Sequence, residues 1–598
     1  MLKVNNNRLQ TLLNNNGYFT MPFLEEEMIA AVKNIYYQNF QDQETLFYAT
    51  SFHPDFALKQ KVNNEIIALL EHKINTHFSD FKILGSSFLK KKPNENNPLP
   101  LHQDWTVTDE EKDGSFTIWI PLQDTTIDNG AISVIPASHH LENNFRAPSL
   151  PVSFEKDRTN FEKYLIPLPL KKGTAFVFNQ KLMHASFPNK SNEERLVLTI
   201  GLAPKDAALF MLYFDKSKNE LHQYAMPDDM FLHYPEIIEK PEIGTLSKSF
   251  SYIPKTYSEK EFLKDRYNKR INKSAMQPLF KDNEHQSFFS KNGYIKLPAL
   301  NETEIKTLKD FLFDSGIKKE TDYGFYVGMD HENKNLVAEM MQKIETVCMP
   351  KVAPYLQDYQ LITASYVIKD PNPKGVVPPH QDWTFVEDET QHCSVTCWIA
   401  LVDVDMQNGC LGVIEGSNHF FESVRPSPSP QAPSPLAKHL FSLFPYFKLL
   451  PMKAGEMLIF DNRTFHASPP NTTNEPRLAV GLSFTQKDAS LCHYYLKPNT
   501  KDTLLKYKVD ESFFKKYDNG TLSKMYNEGK TIEDFELLGE IPFVWQDLSK
   551  EAMKNMVEST GNVYNEELTN HMKKLFGDYM KQSAKEKIVG FFKKLLPV

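Results

Sequence analysis

The sequence predicts a mainly β chain with flanking helices (α+β), built as two tandem domains, each an antiparallel barrel or jelly roll with helices packed outside. Three observations predict it. The chain has 598 residues, more than one hydrophobic core usually supports, so two or more domains are expected. One long set of motifs occurs twice, about 280 residues apart, so the repeating unit is a whole domain rather than a solenoid repeat. Short alternating apolar runs, evenly spaced and punctuated by turns, fill each half, which is the pattern of β barrels and jelly rolls.

The repeat begins at Asn16-Gly17-Tyr18-Phe19 and Asn292-Gly293-Tyr294-Ile295. Each leads into a helical pattern rich in Glu, Lys and Leu, near 24–38 and 302–314, and then into a second helix near 63–77 and 335–349. A strand follows, Ser87-Phe88-Leu89-Lys90-Lys91 against Ser365-Tyr366-Val367-Ile368-Lys369, and then a Pro-Asn turn at Pro93-Asn94 and Pro371-Asn372. Next come Leu101-His102-Gln103-Asp104-Trp105-Thr106 and Pro379-His380-Gln381-Asp382-Trp383-Thr384. Strand alternation resumes in Phe116–Leu122, which carries Trp119, and in Val395–Leu401, which carries Trp398.

Asn129-Gly130 and Asn408-Gly409 sit between apolar runs, a hairpin signal because both residue types tolerate positive φ. The following strands end in Pro136-Ala137-Ser138-His139 and Glu415-Gly416-Ser417-Asn418. The halves diverge most over 141–166 and 420–447, although both segments contain an Arg near Pro and Ser, Arg146 and Arg425. Long excursions from a strand scaffold are often lids or substrate-binding loops; a surface insertion without a role is the other reading. The strands Gly173–Phe178 and Gly455–Phe460 precede Met183-His184-Ala185-Ser186 and Phe465-His466-Ala467-Ser468. Eleven positions on from each of these His residues come Arg195 and Arg477, opening strands that close in turns at Lys205-Asp206-Ala207 and Lys487-Asp488-Ala489.

Bulk composition narrows the function classes. With 41% hydrophobic and 24% charged residues the chain reads as globular. A net charge of -8 gives no general basic footprint for nucleic acid. No run of 18 apolar residues is present, so no transmembrane segment is expected. The first residues, Met1 to Asn7, lack the apolar core of a secretory signal. All 5 cysteines, 348, 393, 397, 410 and 492, lie in the second half. That odd, one-sided set argues against a disulfide framework and fits a reducing cytoplasm. Cys393 and Cys397 are spaced like neither a zinc nor a redox pair and read as small buried strand residues.

The repeated polar residues carry the chemistry. A His and an Asp two apart on a strand edge point the same way, because side chains alternate with period two. A His from a neighbouring strand completes two imidazoles and one carboxylate, which occupy one face of a six-coordinate ion and leave the other open. His102, Asp104 and His184 form one such set, and His380, Asp382 and His466 the other. His-x-Asp alone is a common chance match; its specificity here comes from recurring with the same downstream His and the same step to an Arg. The planar fork of an Arg beside a metal suits a carboxylate, which points to a dicarboxylate cosubstrate held between the ion and Arg195 or Arg477.

On His-Gln-Asp, the Trp strand, the Asn-Gly turn with its apolar strand, and the His followed by Arg, both halves resemble the phytanoyl-CoA dioxygenase family. The resemblance covers roughly 10–215 and 285–500. It implies two double-stranded β-helix (jelly-roll, cupin-like) domains that use Fe(II), 2-oxoglutarate and O2. His102, Asp104, His184, His380, Asp382 and His466 would be the metal ligands, with no catalytic residue beyond them. Arg195 and Arg477 would take the distal carboxylate of 2-oxoglutarate, and Gln103, Gln381, Trp119 and Trp398 would line its pocket. The family's Pro-Gly-Ser-His after the Asn-Gly strand is altered at Ala137, Glu415 and Asn418, departures that bear on substrate shape rather than on the metal. Because Asp104 and Asp382 keep the carboxylate that halogenating relatives lose, hydroxylation is the implied outcome.

The expected organisation is therefore a first domain over 1–270, a second over 285–540, and a helical C-terminal extension over 545–598 with no counterpart after the first domain. Its end, Phe591-Phe592-Lys593-Lys594-Leu595-Leu596, is amphipathic and basic. That leaves two readings, docking on its own domain or a weak contact with a partner or membrane surface. The expected function is hydroxylation of an aliphatic C–H bond in a small-molecule or acyl- or carrier-linked substrate, at two potential active sites. The competing readings are one active domain beside a substrate-binding scaffold, and a metal- or ligand-binding protein without turnover.

Overall fold

The computed structural model describes residues 2–40, 45–94, 96–141, 144–233, 240–273, 276–318, 321 and 323–576. The chain divides after Lys273 into two compact units. Both are mainly β with several helices, and every pairing between their named strands is antiparallel.

In the first unit the larger sheet has six strands, in the order Tyr18–Pro22, Thr174–Asn179, Phe116–Pro121, Arg195–Pro204, Phe81–Lys91 and Phe47–Ala49. A four-stranded sheet runs Leu99–His102, His184–Ser186, Ile132–Val134, Ile166–Leu168. Alternation sorts the side chains of the large sheet. Ile118, Ile120, Val177, Leu198 and Ile200 face the helices Glu26–Asn39 and Phe56–His77, packing on Ile29, Val32, Ile66 and Leu70. Trp119, Phe176, Phe178 and Val197 face the other way and pack with Ile132 and Val134 of the small sheet. The space between the sheets is where the repeated polar residues converge.

The second unit repeats the plan. Its six strands are Tyr294–Pro298, Glu456–Asp461, Val395–Ala400, Arg477–Gln486, Tyr359–Lys369 and Phe325–Val327; its four are Val377–His380, His466–Ser468, Gly412–Val413 and Lys448–Leu449. Glu302–Asp314 begins with Asn301 and Glu304 closing a reciprocal capping box. The second helix of each unit starts earlier than the apolar pattern indicates, at Phe56 and Lys334, because Asp55 and Asn333 cap free backbone N–H groups there.

Two expectations are corrected and one element is added. The Asn-Gly pairs are not hairpin turns. Each joins a strand of the large sheet, Phe116–Pro121 or Val395–Ala400, to one of the small sheet, Ile132–Val134 or Gly412–Val413. Only the glycines take positive φ, +82° at both Gly130 and Gly409. The asparagines brace the loop instead: Asn129 Nδ2 donates to the Asp124 carbonyl at 2.8 Å, and Asn408 Nδ2 to that of Asp403 at 2.8 Å.

Secondly, each unit carries an unforeseen three-stranded sheet, Phe210–Asp215, Glu220–Ala225, Thr245–Ser251 and Cys492–Leu496, Thr503–Lys508, Leu537–Pro542.

Thirdly, the C-terminal extension does have a counterpart. In the first unit the helix Glu259–Lys273 returns to the two sheets: Phe262 is buried against Phe161, and Arg266 Nε donates to the Pro136 carbonyl at 2.9 Å. In the second unit Lys550–Ser559 and Glu566–Phe576 return to the matching place. There Asn562 Nδ2 donates to the Glu415 carbonyl at 2.9 Å and its Oδ1 accepts from the Glu415 N–H at 3.1 Å. Tyr446 Oη also donates to Glu558 Oε1 at 2.7 Å. The extension thus docks on its own unit as far as Phe576; Phe591–Leu596 lies outside the described residues. The five cysteines are free and buried.

Candidate metal centres

His102 ends one strand of the small sheet and pairs directly across from His184 on the next. The two rings lie 4.2 Å apart between centroids. Asp104 follows in extended chain, its Oδ1 3.9 Å from His102 Nε2 and 3.7 Å from His184 Nε2. The second unit repeats this: His380 pairs with His466, their centroids are 4.0 Å apart, and Asp382 Oδ1 lies 3.8 and 3.6 Å from the two Nε2 atoms. In both sets one donor atom from each residue falls within 4.8 Å of the others, close enough to hold a single ion.

Hydrogen bonds fix which nitrogen faces the centre. His102 Nδ1 lies 2.8 Å from the Pro100 carbonyl and His184 Nδ1 2.9 Å from that of Leu182. His380 and His466 meet the carbonyls of Pro378 and Thr464 at 2.8 and 3.0 Å. A carbonyl only accepts, so Nδ1 carries a proton and Nε2 is the nitrogen turned to the centre, where a metal would take the place of any proton it holds. Burial and the neighbouring His184 hold His102 down to about 3, and burial with His466 holds His380 down to about 4.

The carboxylates differ between units. Burial raises Asp104 above the usual range, against the pull of His184 and Arg146. Burial also opposes ionisation of Asp382. There the charge and hydrogen bond of His466, with His380 and a hydrogen bond from Thr396 Oγ1 at 3.1 Å, outweigh it and bring Asp382 to about 2. The distal His residues are closed off, with side chains 7% and 5% exposed, while Asp104 and Asp382 keep 31% and 27%. Each centre therefore opens to solvent on the side of the His-x-Asp turn, where His102 and His380 are also 29% and 38% exposed.

The backbone of each Asp is clamped at both ends. The Asp104 N–H donates to the Gln180 carbonyl at 3.0 Å, and the Asp382 N–H to that of Asn462 at 2.9 Å. The Asp carbonyls accept from Arg146 Nε and Arg425 Nε, both at 2.7 Å. Each of these arginines is a two-pronged partner of a glutamate, Glu110 or Glu389, with Nη1 to carboxylate distances of 2.9 and 2.8 Å. The divergent segments thus begin with an anchor on the metal-binding turn, a role the sequence left unassigned. Gln103 and Gln381 spend their amide nitrogens on the carbonyls of Lys181 at 2.5 Å and Arg463 at 2.6 Å, tying the His-x-Asp turn to the loop before the distal His.

Arg195 and Arg477 lie on the inner face, 2% and 1% exposed, over Trp119 and Trp398 at 5.6 and 5.0 Å from the ring centroids. One Nη1 of each donates to a glycine carbonyl, Gly130 at 2.5 Å and Gly409 at 3.1 Å. Among the described residues no acidic side chain pairs with either. Arg195 Nε, Arg477 Nε and Trp398 Nε1 are buried donors without an acceptor. Burial lowers both guanidinium groups to about 10. A buried cation with spare donors and no counter-ion is costly unless an anion completes it. The donor set fits a carboxylate, as the triads fit a divalent ion that takes nitrogen and oxygen.

Comparison with known proteins gives a consistent picture. A family model described as phytanoyl-CoA dioxygenase (PhyH) matches residues 21–197 and 265–479. A phytanoyl-CoA dioxygenase domain-containing protein 1 from Danio rerio is 27% identical over 181 residues, 28% of this chain and 62% of that protein. A phytanoyl-CoA dioxygenase from Arabidopsis thaliana is 23% identical over 222 residues, 33% of this chain and 77% of the relative. A probable alpha-ketoglutarate-dependent hypophosphite dioxygenase from Stutzerimonas stutzeri is 28% identical over 152 residues, 24% of this chain and 52% of that protein. Among solved structures, the non-haem alpha ketoglutarate dependent carbocyclase SnoK from nogalamycin biosynthesis aligns with a TM-score of 0.26 and 20% identity, over 36% of this chain and 89% of that one. No described helix is long and apolar enough to cross a membrane.

Proposed function

The chain belongs to the phytanoyl-CoA dioxygenase family of Fe(II)- and 2-oxoglutarate-dependent enzymes, and from that premise we propose that both of its halves work as oxygenases. Each would hydroxylate an aliphatic C–H bond of a small-molecule or acyl-linked substrate. We read the facing six- and four-stranded sheets of each unit as a double-stranded β-helix, with its site between the sheets. The observation that carries the reading is the doubling of the complete set. Each unit has three converging metal donors with both His Nε2 atoms turned to the centre, and a buried Arg whose Nε has no protein acceptor.

His102, Asp104 and His184 would hold Fe(II) in the first unit, and His380, Asp382 and His466 in the second. Arg195 and Arg477 would orient 2-oxoglutarate by its distal carboxylate, with Trp119 and Trp398 stacked beneath the guanidinium groups. When bound, Fe(II), 2-oxoglutarate and O2 supply the oxidising chemistry, which yields succinate, carbon dioxide and an oxidised substrate. The protein supplies position. The Nδ1–H bonds fix the imidazoles, Arg146 and Arg425 fix the Asp backbone, and the apolar walls between the sheets exclude water. Three such ligands would leave part of the coordination sphere of a bound ion open to cosubstrate and oxygen.

Titration of Fe(II) and then 2-oxoglutarate into the anaerobic full chain is expected to saturate at two of each per chain. Saturation at one of each would remove the two-site reading, and no binding of either would remove the oxygenase reading altogether.

A further inference from the structure

The two centres differ in how the ligand carboxylate is held. In both, Oδ1 of the aspartate is the oxygen turned to the imidazoles, 3.9 and 3.7 Å from the Nε2 atoms in the first unit and 3.8 and 3.6 Å in the second. In the second unit the other oxygen is pinned as well: Asp382 Oδ2 accepts from Thr396 Oγ1 at 3.1 Å. Asp104 is clamped through its backbone, by the Gln180 carbonyl and Arg146 Nε. Among the described residues no hydrogen bond from a hydroxyl or amide reaches its carboxylate.

The first unit has the same threonine in the same place. Thr117 and Thr396 are each second in their strands, Phe116–Pro121 and Val395–Ala400, and pair with Phe178 and Phe460 of the next strand. The residue behind the hydroxyl differs. Gln180 and Asn462 occupy matching positions, since their carbonyls accept from the Asp104 and Asp382 N–H groups. Gln180 Nε2 donates to Thr117 Oγ1 at 3.1 Å, and Asn462 meets Thr396 Oγ1 with Oδ1 at 3.0 Å. A hydroxyl has one proton, and of the two acceptors facing Thr396 the charged carboxylate is the stronger. Asn462 Nδ2 is a buried donor without an acceptor. A half-turn of that amide sets Nδ2 on Thr396 Oγ1, as Gln180 Nε2 sits on Thr117, and leaves the hydroxyl proton to Asp382.

We infer that Thr396 is a positioning residue of the second centre and that it makes the two centres unequal, the second filling with Fe(II) before the first. This rests on the reading that both triads bind Fe(II). A carboxylate fixed before the ion arrives gives up less freedom on binding, and its hydrogen-bonded partners are worth about 10–100-fold in metal affinity. The His pairs, their Nδ1 anchors and the backbone clamp on each Asp repeat in both units, so they do not separate the centres. At metal concentrations between the two affinities the chain carries a loaded second half and an empty first half.

The test is equilibrium Fe(II) binding to the anaerobic full chain, read one centre at a time. His102→Ala leaves only the second centre complete, and His380→Ala only the first. The second is expected to bind Fe(II) about tenfold or more tightly than the first. In the His102→Ala chain, Thr396→Val keeps the branched shape without the hydroxyl and is expected to remove most of that advantage, whereas Thr396→Ser keeps the hydroxyl and most of the affinity. In the His380→Ala chain, Thr117→Val is expected to leave Fe(II) binding little changed. A threonine that only packs its strand would move both centres alike. Equal affinities, a tighter first centre, or a Thr396→Val loss that Thr396→Ser shares would overturn the proposal. If Thr396→Val does not fold, Thr396→Ala set against Thr396→Ser reads the same contrast. Failure of either single-centre chain to bind Fe(II) at all would instead sink the underlying two-site reading.

Discussion

Arg195→Leu is expected to abolish tight 2-oxoglutarate binding in the first unit, and Arg477→Leu in the second, each by roughly 2–5 kcal/mol, the cost of leaving one partner of a buried charge pair alone. The guanidinium is enclosed; its Nη1 is held by the carbonyl of Gly130 or Gly409, Arg477 Nη2 also meets the Val367 carbonyl at 3.5 Å, and the Nε of each has no protein acceptor. The unpartnered Nε is available to a carboxylate. Leucine fills part of the volume and removes every donor. Anaerobic calorimetry of the Fe(II)-loaded chain should show one tight 2-oxoglutarate site remaining in either single variant and none in the double. Arg195→Lys should fall between, since a point charge cannot match both carboxylate oxygens. Two tight sites surviving in the double variant would show that the distal carboxylate binds elsewhere.

His184→Ala and His466→Ala carry the second large effect: each should lower tightly held Fe(II) from two ions per chain to one. Outer-shell partners of a metal ligand are worth about 10–100-fold in affinity, so loss of a ligand itself should exceed that. The distal His residues are the most informative to remove because they are the enclosed members of the sets, and solvent replaces them poorly. Iron analysis after desalting reads the result directly. Retention of two ions by either variant would place the metal away from these triads.

Much of this site was legible in the sequence because its residues recur at fixed steps. The His-x-Asp spacing, the shared His-Ala-Ser and the eleven-residue step to Arg each survive duplication, and the structure gathers all of them between two sheets in each unit. The parts that were missed lack a sequence signal of their own. Lys91 and Lys369 close their strands without a signal of their own, and nothing in Leu89-Lys90-Lys91 says which lysine turns inward; the register against Arg195 decides it. Arg146 and Arg425 were visible as repeated residues, but their glutamate partners lie 36 residues away in segments that align poorly.

The fold was legible at the level of strands and not of sheet membership. An Asn-Gly pair looks the same whether it closes a hairpin or passes the chain from one sheet to the other, and here the crowding around Gly130 reflects the second case. The helix Glu259–Lys273 was hidden for another reason. It is densely charged and anchors through few buried residues, among them Phe262 and Arg266, so it shows neither an apolar stripe nor any likeness to Lys550–Ser559.

The most direct test of two working halves is succinate formation from 2-oxoglutarate, with Fe(II) and air, by four proteins side by side: the unaltered chain, His102→Ala, His380→Ala and the double variant. Two working sites predict that each single variant keeps part of the succinate signal and the double variant keeps none. Complete loss in one single variant with no loss in the other would contradict that account, leaving one half as the enzyme and the other as its scaffold.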